Sequence, residues 1–592
     1  MTQVPPLTPF GLDVLLGRVA HEWETRRRVF DLPSARFWTG SDDVDLTMSF
    51  MGREAATPVG PAAGPHSQLA QNIVLGWLAG ARVFELKTVQ VLDDLDIARP
   101  CIDMQTVGFN IEWSQELRVQ ESLEEYVKAW MIIEILRRWE PLLEIIGDPG
   151  PHVFDMSVGY DLAGIQTDKV AGYIDGMLDA GEVIDRLRPL IPEPFAEFRD
   201  FDFPTRISDT LTLSTFHGCP PDEIEAMVKH LMSHHGLDVI AKLNPTLLGF
   251  GRVVTVLQQD LAYERIRLNR LSFVDDLEIN RAVDLITSLT DFAARSGRRF
   301  GVKLTNTLVV NNDKGFLPDD PMYMSGPPLH VLATCLLDDL LNTMPGMFKV
   351  HGHDGPVQVS FSAGVSKDNL SATAGMGVAP ITMSSDLLRP GGYGRLEPAL
   401  RQLERAMVAS GSTTLAEWHR HSWDTARGAG FRGPAEAHMT DIVAGHGRAE
   451  YDLYAHEELP RAVDHDLEMW GCVACNFCVT VCPNDAFFRL PTPDGSDISG
   501  RQQYLVFAEL CNECGNCMVF CPENGDPAQV KPKLYLDQDR FDSGSGQGYL
   551  LEAGEDGVAV TPRPGFESEV PLLLELLNDG VEGIPIRSGD LG

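Results

Sequence analysis

The 592 residues are 44% hydrophobic, enough for buried cores in three or four domains, and carry 85 acidic against 48 basic side chains, a net charge of −37. That balance argues against nucleic acid or an anionic membrane as the main partner. Residues 1–10 have no basic, apolar leader and no apolar run reaches spanning length, while eight of the 11 cysteines fall in metal-type runs, so a reducing, cytoplasmic setting is expected.

In chain order, residues 1–45 read as an N-terminal helical extension, with Leu12, Val14, Leu15, Val19, Ala20 and Trp23 at helical spacing. Residues 46–424 alternate apolar, strand-like runs with helical stretches. The runs fall at 57–64, 81–88, 152–159, 210–215, 239–244, 301–306, 357–363 and 380–384, which predicts an α/β fold of the (β/α)8 TIM-barrel type. Ser122 and Glu125 read as a capping box opening a helix, and Pro220 and Pro221 announce another directly after Cys219. Residues 425–465 show no periodicity and read as a connector. Gly428, Gly430 and Gly433 in it match G-x-G-x-x-G, but a polar stretch precedes them and Pro434 follows, so the strand-turn-helix context of a dinucleotide site is missing. No other stretch supplies that fingerprint. Residues 533–592 form an acidic C-terminal extension with an apolar helix near 571–577, expected to wrap the preceding domain or a partner.

Residues 466–532 hold the strongest signal. Cys472, Cys475, Cys478 and Cys482, followed by Pro483, spell C-x2-C-x2-C-x3-C-P, and Cys511, Cys514, Cys517 and Cys521, followed by Pro522, repeat it. This is the ligand pattern of a bacterial 2[4Fe-4S] ferredoxin-like domain, in which the fourth cysteine of each run binds the other cluster. One [4Fe-4S] cluster is therefore assigned to Cys472, Cys475, Cys478 and Cys521, the other to Cys511, Cys514, Cys517 and Cys482. Zinc sites use other spacings, and disulfides need no repeat of this kind.

A barrel's active site lies at the C-terminal ends of its strands. There the sequence places Lys87 and Thr88, then Asn110 and Glu112, Lys242 with Asn244, and Thr305-Asn306-Thr307, a set suited to an anionic, hydrogen-bonding planar ligand. Asn-Ile-Glu at 110–112, Ala-Lys-Leu-x-Pro at 241–245 and Thr-Asn-Thr at 305–307 resemble, in order, the motifs of the dihydropyrimidine dehydrogenases, and more loosely the dihydroorotate dehydrogenases. The resemblance implies an FMN-binding barrel in which Lys87, Thr88, Lys242 and Thr305 contact the flavin and Asn110, Glu112, Asn306 and Thr307 face a small-molecule substrate. The phosphate is expected over the loops after strands seven and eight, at Gly364, Ser384 and Ser385. Where that family has Asn-Leu-Ser-Cys-Pro, this chain reads Thr212-Leu213-Ser214-Thr215, with Phe216-His217-Gly218-Cys219-Pro220 following. Thr215 stands at the catalytic cysteine's place. Cys219, at a helix start where the dipole lowers a thiol's pKa, and His217 are the remaining candidates for proton transfer.

The architecture as a whole, with Thr215-Phe216-His217-Gly218-Cys219-Pro220-Pro221-Asp222-Glu223 and Cys511-Asn512-Glu513-Cys514-Gly515-Asn516-Cys517, is similar to the selenate reductase subunits associated with molybdenum hydroxylases. Those carry an FAD and NAD(P)H module like the glutamate synthase small subunit, which this chain lacks, so the module is expected on a partner. The implied function is an FMN- and iron–sulfur-dependent oxidoreductase subunit. Electrons would pass from the partner's FAD through two clusters to FMN and a cyclic amide or ureide. The alternative is a flavin-free electron-relay scaffold serving a molybdenum hydroxylase.

Overall fold

Each predicted run carries apolar residues on both faces, the pattern of parallel strands enclosed by helices. The computed structural model describes residues 6–578 apart from 94, 113, 216–217, 351–352, 461 and 555–556. Its first domain is a ring of eight parallel strands, one in each run: β1 (Val59–Pro61), β2 (Val83–Glu85), β3 (Val153–Tyr160), β4 (Thr210–Thr215), β5 (Asp238–Leu243), β6 (Phe300–Leu304), β7 (Val357–Phe361) and β8 (Ile381–Met383). Ladders join β2 to β8 in succession, and β8 pairs with β1. Between β1 and β2 the Arg82 N–H donates to Val59 O at 2.9 Å. The TIM barrel is therefore nearly closed. Helices Ala70–Leu78, Val119–Leu136, Pro221–His234, Ile279–Arg295 and Pro327–Thr343 lie among its strands in the chain, and Leu396–Ser410 follows the last.

Over the mouth sits a small antiparallel sheet of Ile102–Asp103, Phe109–Asn110, Met322–Met324 and Leu308–Val310, with Tyr323 paired to Asn110. The cap expected at Ser122 and Glu125 is corrected by about one turn. The helix begins at Val119 and Glu121 bonds back to the Arg118 N–H at 2.9 Å, while Glu125 pairs with Lys128 inside the protein.

The stretch read as a connector is largely helical, with Leu415–Gly428 crossing its start and Pro434–Ala444 within it. Pro434 opens the second helix, which buries Ala435 and Ile442 and leaves His438 half-buried. A half-buried histidine breaks the apolar pattern that would have revealed it. Gly428 ends one helix and Gly433 precedes the next, so the G-x-G-x-x-G match joins two helices.

The second domain is a five-stranded sheet of Phe487–Pro491, Gln502–Phe507, Lys533–Tyr535, Tyr549–Gly554 and Gly557–Pro562. Its last three strands belong to the expected extension, which thus completes the cluster domain's sheet. The first helix, Leu12–Arg26, is tied to this domain by Arg18, whose guanidinium meets Asp485 at 2.5 Å in a buried pair. Among the described residues no helix is long and apolar enough to cross a membrane.

Candidate active site and cluster-binding module

The strand ends converge on a cavity of about 290 Å³ at the barrel mouth. All 11 residues foreseen as cofactor or substrate contacts line it: Lys87, Thr88, Lys242, Thr305, Gly364, Ser384 and Ser385, with Asn110, Glu112, Asn306 and Thr307.

The charges beneath it are arranged in a layer. Lys242 and Lys303 stand directly opposite each other on β5 and β6, where two ammoniums repel unless an anion lies between them. Glu85 on β2 supplies it, at 3.3 Å from Lys242 and 2.7 Å from Lys303. Burial pushes the Glu85 carboxyl up, but the two ammoniums outweigh it and hold it at about 2. Nearby, Asp155 on β3 accepts hydrogen bonds from Thr210 at 2.7 Å and Thr212 at 2.6 Å, and burial raises it to about 6. Thr212, at the place of the family's asparagine, thus serves the barrel core. Two residues past Glu85, Lys87 is only 2% exposed; it donates to Gln68 at 3.0 Å and is paired with Glu112 and, at 3.7 Å, with Glu116. Burial pushes the Glu112 carboxyl up against the pull of Lys87.

The loops after β7 and β8 fit a phosphate. Among the described residues the backbone N–H groups of Ala363, Gly364, Ser384 and Ser385 meet no acceptor within the chain. Gly364 has a φ of +51°, and a Cβ there would stand 2.2 Å from Gly326 O. The loop is held from behind: His330 Nδ1 lies 3.0 Å from Ala363 O, Asn369 donates to Gly364 O at 3.0 Å, and His330 Nε2 faces His438 Nε2 at 3.1 Å. Burial keeps the two imidazoles neutral, at about 3 and about 4. His330 therefore donates through Nδ1 and accepts from His438. A cradle of free N–H groups and two lysines in one lining fit the phosphate and the ring of a flavin mononucleotide.

The loop after β4 departs from expectation. Thr215 closes the strand, and His217 lies outside the described residues. Cys219 precedes helix Pro221–His234 as foreseen, but it is 2% exposed and does not line the cavity. Its thiol is pushed up to about 12 by burial and by Glu223, Asp161 and Asp276. Burial and three carboxylates outweigh the helix end, which corrects the expected activated thiol. Asp276 accepts from Gly218 N at 2.5 Å and from Asn244 at 3.2 Å, and Asn244 accepts from Asn306 at 2.9 Å, linking this loop to the cavity.

Two tyrosines of the lining escaped the sequence reading. Tyr160 ends β3 with a φ of +93°, a strained setting for a bulky residue, and its place just past the third run could have revealed it. Tyr323 lies on the covering sheet, whose two- and three-residue strands leave no signal in the sequence.

In the second domain Cys472, Cys475, Cys478 and Cys521 line one cavity, and Cys482 lies within electrostatic reach of Cys511, Cys514 and Cys517, groupings compatible with crossed ligands. Both runs turn alike. Ala474 and Asn476 in the first, and Glu513 and Gly515 in the second, have positive φ, bending the chain tightly between successive thiolates. Each cubane thiolate takes a different iron. The sulfurs need not converge on one point, and among the described residues no group of three or more His, Cys, Asp or Glu is arranged around a single ion.

The second run is hydrogen-bonded to the cavity wall. Cys514 O accepts from Cys101 N at 3.1 Å and Ile102 N at 2.9 Å, Asn516 donates to Leu388 O at 2.9 Å, and Asn512 donates to Glu116 at 2.8 Å. Ile102 and Leu388 both line the cavity. Gly515 allows this approach, since a Cβ there would stand 2.5 Å from Pro100.

A parallel barrel whose cavity wall is hydrogen-bonded to a two-cluster module defines an iron–sulfur oxidoreductase. Residues 30–425 match the family described as oxidoreductase YgfK, N-terminal TIM-barrel domain, and residues 471–524 match a 4Fe-4S dicluster domain. The chain belongs to the YgfK family. It is 39% identical over 523 residues to the provisionally named oxidoreductase YgfK of Escherichia coli K12, and equally to that of strain O157:H7. The match takes in 85% of this chain and 47% of each relative, so the chain spans about half the length of the curated relatives it matches. The crystal structure of DHODH from Eimeria tenella in complex with ferulenol overlays with a TM-score of 0.41 at 13% identity, over 67% of this chain and 93% of that one, too loosely to carry an argument.

Proposed function

We propose that the barrel cavity holds FMN and that the chain interconverts the reduced and oxidised forms of a cyclic amide or ureide, with electrons relayed by the two clusters. The seam between Cys514 and the Cys101–Ile102 wall carries this reading, because it puts the ligand loop of one cluster directly against the cavity. When bound, FMN supplies hydride exchange with a substrate carbon and single-electron exchange with a cluster. The chain's own residues do the rest. Gly364, Ser384 and Ser385 take the phosphate, Lys87 and Lys242 offset charge on the ring, and Asn110, Glu112, Asn306 and Thr307 orient the substrate. With Cys219 buried away from the lining, His217 is the proposed proton donor. The electron source is a partner carrying FAD and an NAD(P)H site, like the glutamate synthase small subunit.

Acid release of the cofactor tests the reading. Stoichiometric FMN, and reoxidation of the reduced protein by heterocyclic amides, support it. No flavin alongside about eight irons per chain favours the second reading, a relay scaffold, which Thr215 at the catalytic cysteine's place and the burial of Cys219 also favour. Rapid reduction of the protein alone by NADH or NADPH overturns the separate partner.

A further inference from the structure

The two cluster sites differ in access. Cys511, Cys514 and Cys517 are buried against the barrel, whereas Cys472, Cys475 and Cys478 are partly open. Between them stands Val473, 52% exposed, next to the exposed Ala474. The segment leading into this run lies against its fourth ligand: Val463 N donates to Pro522 O at 2.7 Å and Leu467 N to Asn524 O at 2.9 Å. Upstream, Glu458 and Pro460 share a groove with Phe477 and Phe520, the residues preceding Cys478 and Cys521. Leu459, between them, is 66% exposed. The same segment presents Glu457, Glu458, Asp464, Asp466 and Glu468 to solvent. Of its basic residues, Arg461 lies outside the described residues, and His465 is exposed and faces Glu523 at 3.0 Å.

An exposed valine in a cluster's ligand turn, with an acidic segment bearing an exposed leucine laid against that cluster's fourth ligand, has the parts of an electron-transfer contact: a small apolar centre for close approach and charged groups for steering. We propose that this face, centred on Val473, is the docking site for a redox protein with a basic, apolar-centred face. The Cys472, Cys475, Cys478 and Cys521 cluster is then the outer terminus of the relay. In each encounter the partner is oxidised by one electron and that cluster is reduced by one. The inference gives chemistry to the proposed partner but does not depend on FMN.

The test uses the dithionite-reduced holoprotein and mitochondrial cytochrome c, a heme protein with a lysine-ringed face, following cluster reoxidation by stopped flow. Glu457→Lys with Glu458→Lys should slow the second-order rate about 10-fold at low salt and flatten its salt dependence. The distant pair Asp42→Lys with Asp43→Lys changes net charge equally and should alter the rate less than about twofold. Val473→Asp should slow electron transfer even at about 0.2 M salt, where charge effects are screened. Equal losses in the two lysine variants, or an unchanged rate with Val473→Asp, overturn the proposal. Cluster absorbance confirms that each variant is loaded, and the readout holds whether or not flavin fills the barrel.

Discussion

Replacing Glu85 by glutamine leaves Lys242 and Lys303 facing each other in the barrel core without an anion. The folded protein holds this carboxyl at about 2 against an ordinary 4.5. At about 1.36 kcal/mol per pH unit the difference corresponds to about 3 kcal/mol of stability, close to the ~3–5 kcal/mol lost when one member of a buried pair is removed. The folded value is depressed, so this stability is present above pH 4.5 and is lost as pH falls through about 2. In Glu85→Gln, Lys303, whose pKa burial already lowers, has lost its counterion; the variant should therefore regain stability as pH rises and that ammonium discharges. Urea unfolding of the anaerobic protein, followed by barrel fluorescence, measures the loss, and adding Lys303→Met should recover part of it. A Glu85→Gln transition within about 0.5 kcal/mol of the wild type at pH 7, a spread ordinary for surface changes, would refute the charge layer.

Other outcomes follow from the same geometry. His438→Phe removes the donor to His330 behind the phosphate loop and should weaken FMN retention about 10-fold, the 1.4 kcal/mol of one hydrogen bond, as read by fluorescence of released flavin. Asp155 is raised to about 6 in the fold, so it favours the folded state below its ordinary 3.8 and loses that contribution as pH rises through 6. Asp155→Asn should flatten the stability profile over this window, and a carboxylic-acid infrared band titrating near 6 should vanish with it. Cys482→Ser should lower iron from about eight to about four per chain and spare the outer cluster, whose EPR signal persists. Cys219→Ser should leave flavin content, iron and turnover unchanged, and a slowed turnover would return the thiol to the mechanism.

The barrel was legible because a strand buried on both faces is an uninterrupted apolar run, and eight such runs leave few alternatives. The lining was legible for a related reason. Side chains such as Lys87, Lys242 and Thr305 follow directly after those runs, where a polar group can only face the mouth. Glu85 gave no such sign. It sits inside the run Val83-Phe84-Glu85-Leu86, and its meaning lies in Lys242 and Lys303, which only ring closure brings to it. His438 was hidden likewise, since its partner His330 lies on another helix. Cys219 shows the limit of local reasoning, because a helix start lowers a thiol's pKa only where burial and carboxylates such as Glu223 do not oppose it.

The pair Arg18 and Asp485 joins positions 467 residues apart. At a synthesis rate of ~5–20 residues per second, the first helix waits on the order of 20–90 s on the ribosome before its counterion exists. During that interval Arg18, 3% exposed in the finished protein, lacks the Asp485 carboxylate that it meets there. The nascent chain therefore carries this guanidinium without its Asp485 partner until the cluster domain has been made.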